Sequence, residues 1–89
     1  MNSHTTERFR KAFDELPNDV KEKAKQAFQL WKHDPIHPSL KFKQVHPSQS
    51  IYSARIGLGW RALGVKEHDV MIWFWIGSHA DYDRVLSQM

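Results

Sequence analysis

After Pro38 the spacing of apolar residues changes, and this change limits the folds open to the chain. Before it, Phe9, Ala12, Phe13 and Leu16 recur at i, i+3, i+4 and i+7, one stripe of a helix. Thr5 or Thr6 is placed to cap that helix and Pro17 to stop it. Val20, Ala24, Ala27, Phe28 and Trp31 form a second stripe, with Lys21, Lys23 and Lys25 off it. Asp19 with Glu22 resembles a capping box at its start. Asp34-Pro35 ends it, because the residue before proline disfavours the helical region. Joined by Leu-Pro-Asn, the two helices are predicted to form an antiparallel hairpin.

Beyond Pro38 the period is two. Leu40-Lys41-Phe42-Lys43 alternates, which predicts a strand with Leu40 and Phe42 inward and the lysines outward. His46 to Gln49 reads as a turn. Ile51 to Ile56 reads as a strand, with Tyr52, Ala54 and Ile56 on one face and Ser53 and Arg55 on the other. Gly57-Leu58-Gly59 supplies a tight turn into a strand from Trp60 to Lys66. Val70 to Ile76 is apolar on both faces, so it is predicted to be the central strand, covered on each side. Gly77-Ser78 breaks it, and His79 to Gln88 reads as a helical turn or two. The expected fold is α+β: a helical hairpin on one face of an antiparallel sheet of about four strands, with a short C-terminal helix.

At 89 residues the chain is expected to be one domain, residues 1–89. It has no cysteine, which excludes disulfide staples, thiolate metal sites and a cysteine nucleophile. A chain this small without staples points to a reducing cytoplasm. The apolar run from Val70 to Gly77 falls well short of the roughly 20 residues a membrane span needs, so no membrane association is expected. The N-terminus carries no basic-then-apolar signal pattern.

Charge is unevenly distributed. Residues 35–66 hold five Lys/Arg (Lys41, Lys43, Arg55, Arg61 and Lys66) and no acid. Residues 67–89 hold one Arg and four acids. Two readings fit the basic middle third: a surface that meets phosphate, or plain solvated side chains.

Several segments together resemble the RelE/ParE toxin superfamily of bacterial type II toxin–antitoxin systems. They are the hairpin ending in Asp34-Pro35, then Ser39-Leu40-Lys41, then Tyr52-Ser53-Ala54-Arg55-Ile56. Gly59-Trp60-Arg61-Ala62-Leu63 follows, and the series closes with Trp73-Phe74-Trp75-Ile76-Gly77-Ser78-His79-Ala80-Asp81-Tyr82-Asp83. The resemblance runs from about Phe9 to Leu86. It implies a small α+β toxin. Nuclease members cut mRNA, commonly on the ribosome, and are neutralised by a small antitoxin protein. Members resembling ParE act on DNA gyrase and cut nothing. A solitary toxin fold with little activity is a third reading. Members usually begin with a strand before the hairpin. Only a few polar residues precede it here, so that strand is expected to be absent or vestigial.

Metal-independent RNA cleavage needs a base for the 2′-hydroxyl, an acid for the 5′-oxygen and cations on the phosphate. The resemblance puts His79 and Tyr82 where RelE proper uses Arg and Tyr, closer to relatives with His there. His79 is the candidate acid or base and Tyr82 a candidate proton donor or base-stacking group. Arg55 and Arg61 are the candidate phosphate clamp, since guanidinium grips phosphate at two points. Lys41 and Lys43 would extend a track along the RNA backbone. Each has a plainer reading: an exposed histidine, a packing tyrosine, arginines on a solvated face, lysines guarding an edge strand. Trp60, Trp73, Phe74 and Trp75 either stack nucleobases or fill the core. His33 and His37 are separated by Pro35 and cannot align as helical ligands, so neither metal nor other cofactor is expected.

Overall fold

The structure is a computed structural model and describes residues 2–89. Its element order is β1 (Asn2–Thr5), α1 (Glu7–Asp14), α2 (Asn18–His33), a 3-10 turn (Pro38–Leu40), β2 (Lys43–Gln44), β3 (Ile51–Arg55), β4 (Trp60–Glu67), β5 (Val70–Ser78) and α3 (His79–Ser87). The five strands form one sheet in the order β1-β5-β4-β3-β2. β1 pairs with β5 in parallel and the other neighbours are antiparallel. No described helix is long and apolar enough to cross a membrane.

The α+β reading and the helical hairpin hold, while the strand count is corrected. The strand expected to be missing is present at the sheet's edge, so the sheet is mixed and has five strands. β1 needs only backbone pairing at an edge, so Asn2-Ser3-His4-Thr5 carries no apolar period. β4, not β5, is the middle strand. β5 is still interior, lying between β1 and β4.

Two local expectations also change. Thr6 caps α1, its hydroxyl accepting from the Phe9 amide at 3.1 Å. At α2, however, the cap is Pro17 with no side-chain bond, so Asp19 and Glu22 form no capping box. Asp19 lies in the first turn, where its charge suits the helix dipole. The Leu40–Lys43 strand shrinks to Lys43–Gln44, because Lys41 turns left-handed (φ 44°) after the 3-10 turn. Leu40 and Phe42 still pack inward.

Strand parity gives the sheet two apolar faces. The hairpin face carries Ala54, Ile56, Ala62, Met71, Trp73 and Ile76 against Val20, Ala24 and Trp31 of α2. The outer face carries Ile51, Leu63 and Trp75, covered by Tyr82, Val85 and Leu86 of α3. A strict alternation would not put Trp73 and Ile76 on one face. The register between β4 and β5 slips at Leu63/Gly64, leaving Phe74 as an extra residue. That bulge sends Trp75 to the outer face.

Candidate active site

The outer face ends in a row of residues fixed by register. Arg55 on β3 stands opposite Arg61 on β4, and Arg61 stands opposite Gly77 on β5. The turn that joins β3 to β4 sets this pairing. Gly57 and Gly59 adopt φ of 82° and 79°, which suits residues without a Cβ, and the Ile56 amide donates to the Trp60 carbonyl at 3.0 Å. Directly opposed side chains on such strands start about 5 Å apart at Cβ. The two arginine side chains therefore start from neighbouring positions on one face. Among the described residues neither forms an ion pair. Arg61 donates from Nη1 to the Trp60 carbonyl at 2.8 Å, which leaves most of its donors free.

Lys43 pairs with Ser53 in the next row of the same face, diagonal to Arg55. Lys41 does not join this row. Its left-handed backbone breaks the strand that would have set it opposite Arg55.

His79 begins α3 at the same end of the sheet. Its amide donates to the Gly59 carbonyl at 2.7 Å, tying the helix start to the β3–β4 turn. Ser78 caps the helix, its hydroxyl accepting from the Asp81 amide at 3.2 Å. The His79 side chain is half exposed, and Nδ1 lies 3.4 Å from Oδ2 of Asp83 one turn on. This contact leaves Nε2 as the free ring nitrogen. Beneath it, the His79 ring lies 5.8 Å from the Tyr82 ring, and Tyr82 lies 6.5 Å from Trp75. Tyr82 is only 8% exposed and packs in the outer-face core. Its ring is thus a floor under the imidazole. Arg55, Arg61 and Lys43 thus share one face of the sheet, His79 opens the helix that packs on that face with Tyr82 in the core below it, and Lys41 lies outside the row.

Asp83 and Gly77 were not singled out from sequence. The His79/Asp83 spacing of i, i+4 on a helix was the readable signal for the first. Gly77 gave none, since its role lies in what rests on it. A Cβ there would stand 2.6 Å from Trp75 Cζ2, so the indole lies across the bare backbone. An apolar cavity of about 420 Å³ lies elsewhere, between the hairpin and the sheet, and is lined by Phe9, Phe13, Phe28, Trp31 and Trp73. His79 and Arg61 take no part in it. No group of three or more metal-ligating side chains occurs among the described residues.

A hairpin over a five-stranded mixed sheet, with an arginine pair in register on β3 and β4 and a histidine opening the helix after β5, defines a small α+β protein. Residues 18–84 match the family model of the ParE-like toxin domain, and the chain belongs to that family. Solved structures show the same fold. YafQ from E. coli strain BL21(DE3) matches with a TM-score of 0.73 at 15% identity, covering 91% of this chain and 96% of that one. A chain of the RelB–RelE antitoxin–toxin complex from Methanococcus jannaschii gives 0.72 at 16% identity, covering 90% and 95%. The toxin–antitoxin complex RelBE2 from Mycobacterium tuberculosis gives 0.69 at 18% identity, covering 88% and 96%. No curated protein sequence matches the chain.

Proposed function

We propose that this chain, acting as one domain over residues 1–89, is the toxin of a type II toxin–antitoxin system and cleaves mRNA in the cytoplasm without a metal. The observation that carries this reading is the Arg55–Arg61 pair, lacking any carboxylate partner, on the same face and at the same end as His79. Like charges set opposite each other on a sheet are destabilising unless an anion joins them. A phosphate diester is such an anion, and the relatives of this fold include RelE- and YafQ-type toxins.

In this mechanism Arg55 and Arg61 hold the scissile phosphate and Lys43 holds the backbone beside it, with Lys41 at the margin. His79 Nε2 takes the proton of the 2′-hydroxyl. The 2′-oxygen bonds to phosphorus as the bond to the 5′-oxygen breaks, and the leaving oxygen is protonated from solvent. The products are a 2′,3′-cyclic phosphate and a 5′-hydroxyl. Asp83 orients the imidazole and stabilises it when charged. Tyr82, below the surface, supports the ring, and its packed position favours that role over proton donation. An antitoxin of the kind present in the RelB–RelE and DinJ–YafQ complexes is the proposed partner.

The test is cleavage of RNA by the purified chain, with and without ribosomes, against His79→Ala. A general base contributes ~100-fold or more, so the variant should lose that much rate. Equal cleavage by both proteins removes His79 from the mechanism. Intact mRNA together with inhibited DNA gyrase would replace the nuclease reading with the gyrase-directed one.

A further inference from the structure

A second concavity adjoins Arg55 at the edge of the sheet, and its floor is the margin of the hydrophobic core, Ala27, Leu30 and Leu40. It lies at the β3 edge that the two-residue β2 leaves open, between that edge, α2 and the β3–β4 turn. Its volume is about 420 Å³, and its polar lining is Lys23, Gln26, Ser39 and Arg55, with Leu58 at the rim. No carboxylate lines it. Arg55 thus joins the two, its backbone in register with Arg61 and the residue lining this groove.

Several lysines of the hairpin are partnered, while Lys21 and Lys23 are not, and of these two only Lys23 lines the groove. Lys25 pairs with Glu22 at 3.6 Å, Lys11 pairs with Glu7 at 3.4 Å, and Lys32 lies over the Phe28 ring at 5.4 Å. Lys23 has no such partner. Its stem is laid against Gly57, where an added Cβ would stand 3.3 Å from Lys23 Cδ. Gly57 also holds a φ of 82°, so the turn keeps a residue that leaves room for that stem. Leu58, 80% exposed at the tip, gives the groove an apolar lip beside its cations. Two unpaired cations, an amide and a hydroxyl around an apolar floor and lip suit a phosphate with its attached sugar and base.

We propose that this groove is a second RNA-backbone subsite, in which Lys23 holds the phosphate next to the scissile one, Arg55 stands between the two phosphates, and Leu58 supports the flanking base. The proposal rests on the nuclease reading for its substrate. RNA then crosses from the sheet face around the β3 edge onto α2, and the site spans both layers of the fold.

The experiment measures binding of a single-stranded RNA oligonucleotide to the His79→Ala chain across a salt series, with Lys23→Gln added. Lys11→Gln is the control, an exposed lysine on α1 outside the groove. A phosphate contact to single-stranded RNA contributes about 0.7 to the slope of log affinity against log salt. Lys23→Gln should therefore flatten the slope by about 0.7 and weaken binding about 5-fold at 0.1 M salt, while Lys11→Gln changes little. Equal slopes for the two variants overturn the proposal. So does a Lys23→Gln effect on binding of a polyglutamate peptide with none on RNA, which would make the groove a protein-docking site. Failure of the nuclease reading shows separately, as absence of His79-dependent cleavage while the Lys23 slope difference remains. If the chain binds no RNA at all, both fall.

Discussion

Gly77→Ala tests how the packing floor supports the site. The new Cβ would meet three atoms of the Trp75 six-membered ring, at 2.6 Å from Cζ2, 3.0 Å from Cη2 and 3.4 Å from Cε2. Carbon contacts are comfortable at about 3.5–4.0 Å, so the ring must move by roughly 1 Å. Trp75 is only 8% exposed and is packed against Ile51, Leu63 and Tyr82, so it cannot swing freely. Overpacking of this kind costs ~1–3 kcal/mol. Loss of glycine's freedom in the unfolded chain offsets up to ~1 kcal/mol. The net expectation is ~1–2 kcal/mol, or a Tm lower by about 5–15 °C for a domain of this size. Because Tyr82 lies between Trp75 and His79, cleavage measured well below Tm should also fall ~10-fold or more. The decisive assay is a double-mutant cycle with Trp75→Phe, which removes the ring atoms that collide. Trp75→Phe should itself destabilise the fold by ~1–2 kcal/mol, but Gly77→Ala should cost clearly less in that background. If the two changes add within about 0.5 kcal/mol, the indole does not rest on Gly77 and the reasoning is refuted.

Arg61→Gln should separate stability from function. Removing one of two opposed cations should leave Tm unchanged or raise stability by a few tenths of a kcal/mol, roughly the size of a cross-strand charge effect, while RNA cleavage falls about 10- to 1,000-fold. A fall in both would mean that Arg61 is structural. Lys41→Gly should stabilise the chain by up to ~1 kcal/mol, because φ 44°, ψ 41° is strained for lysine and free for glycine. Thermal unfolding checks this, and a lower Tm would show that the lysine stem packs in a way the left-handed turn does not require.

The hairpin was legible because its apolar stripes are complete and Pro17 and Asp34-Pro35 punctuate them. The arginine pair was legible for a similar reason. A turn of Gly57-Leu58-Gly59 leaves little choice of register, so Arg55 had to oppose Arg61. β1 was not legible, since an edge strand held by backbone bonds needs no apolar pattern. Nor was the end of β2, where one lysine in the left-handed region breaks an alternation that otherwise predicts a strand. In each case the missing information was a backbone state that side-chain chemistry does not announce.

The bulge at Phe74 matters most for the site and was the least visible. In a strand, a slip of one residue exchanges the two faces for everything beyond it. Val70 to Ile76 is apolar at every position, so either parity buries apolar groups and the sequence gives no preference. The register slip at Leu63/Gly64 decides it. Without the extra residue, Trp75 and Gly77 would turn toward the hairpin and β5 would hand the chain to α3 with the opposite parity. Tyr82 would lose its partner, and His79 would be separated from the arginine row. That α3 and the arginine row lie on the same side of the sheet thus follows from one unpaired residue, Phe74.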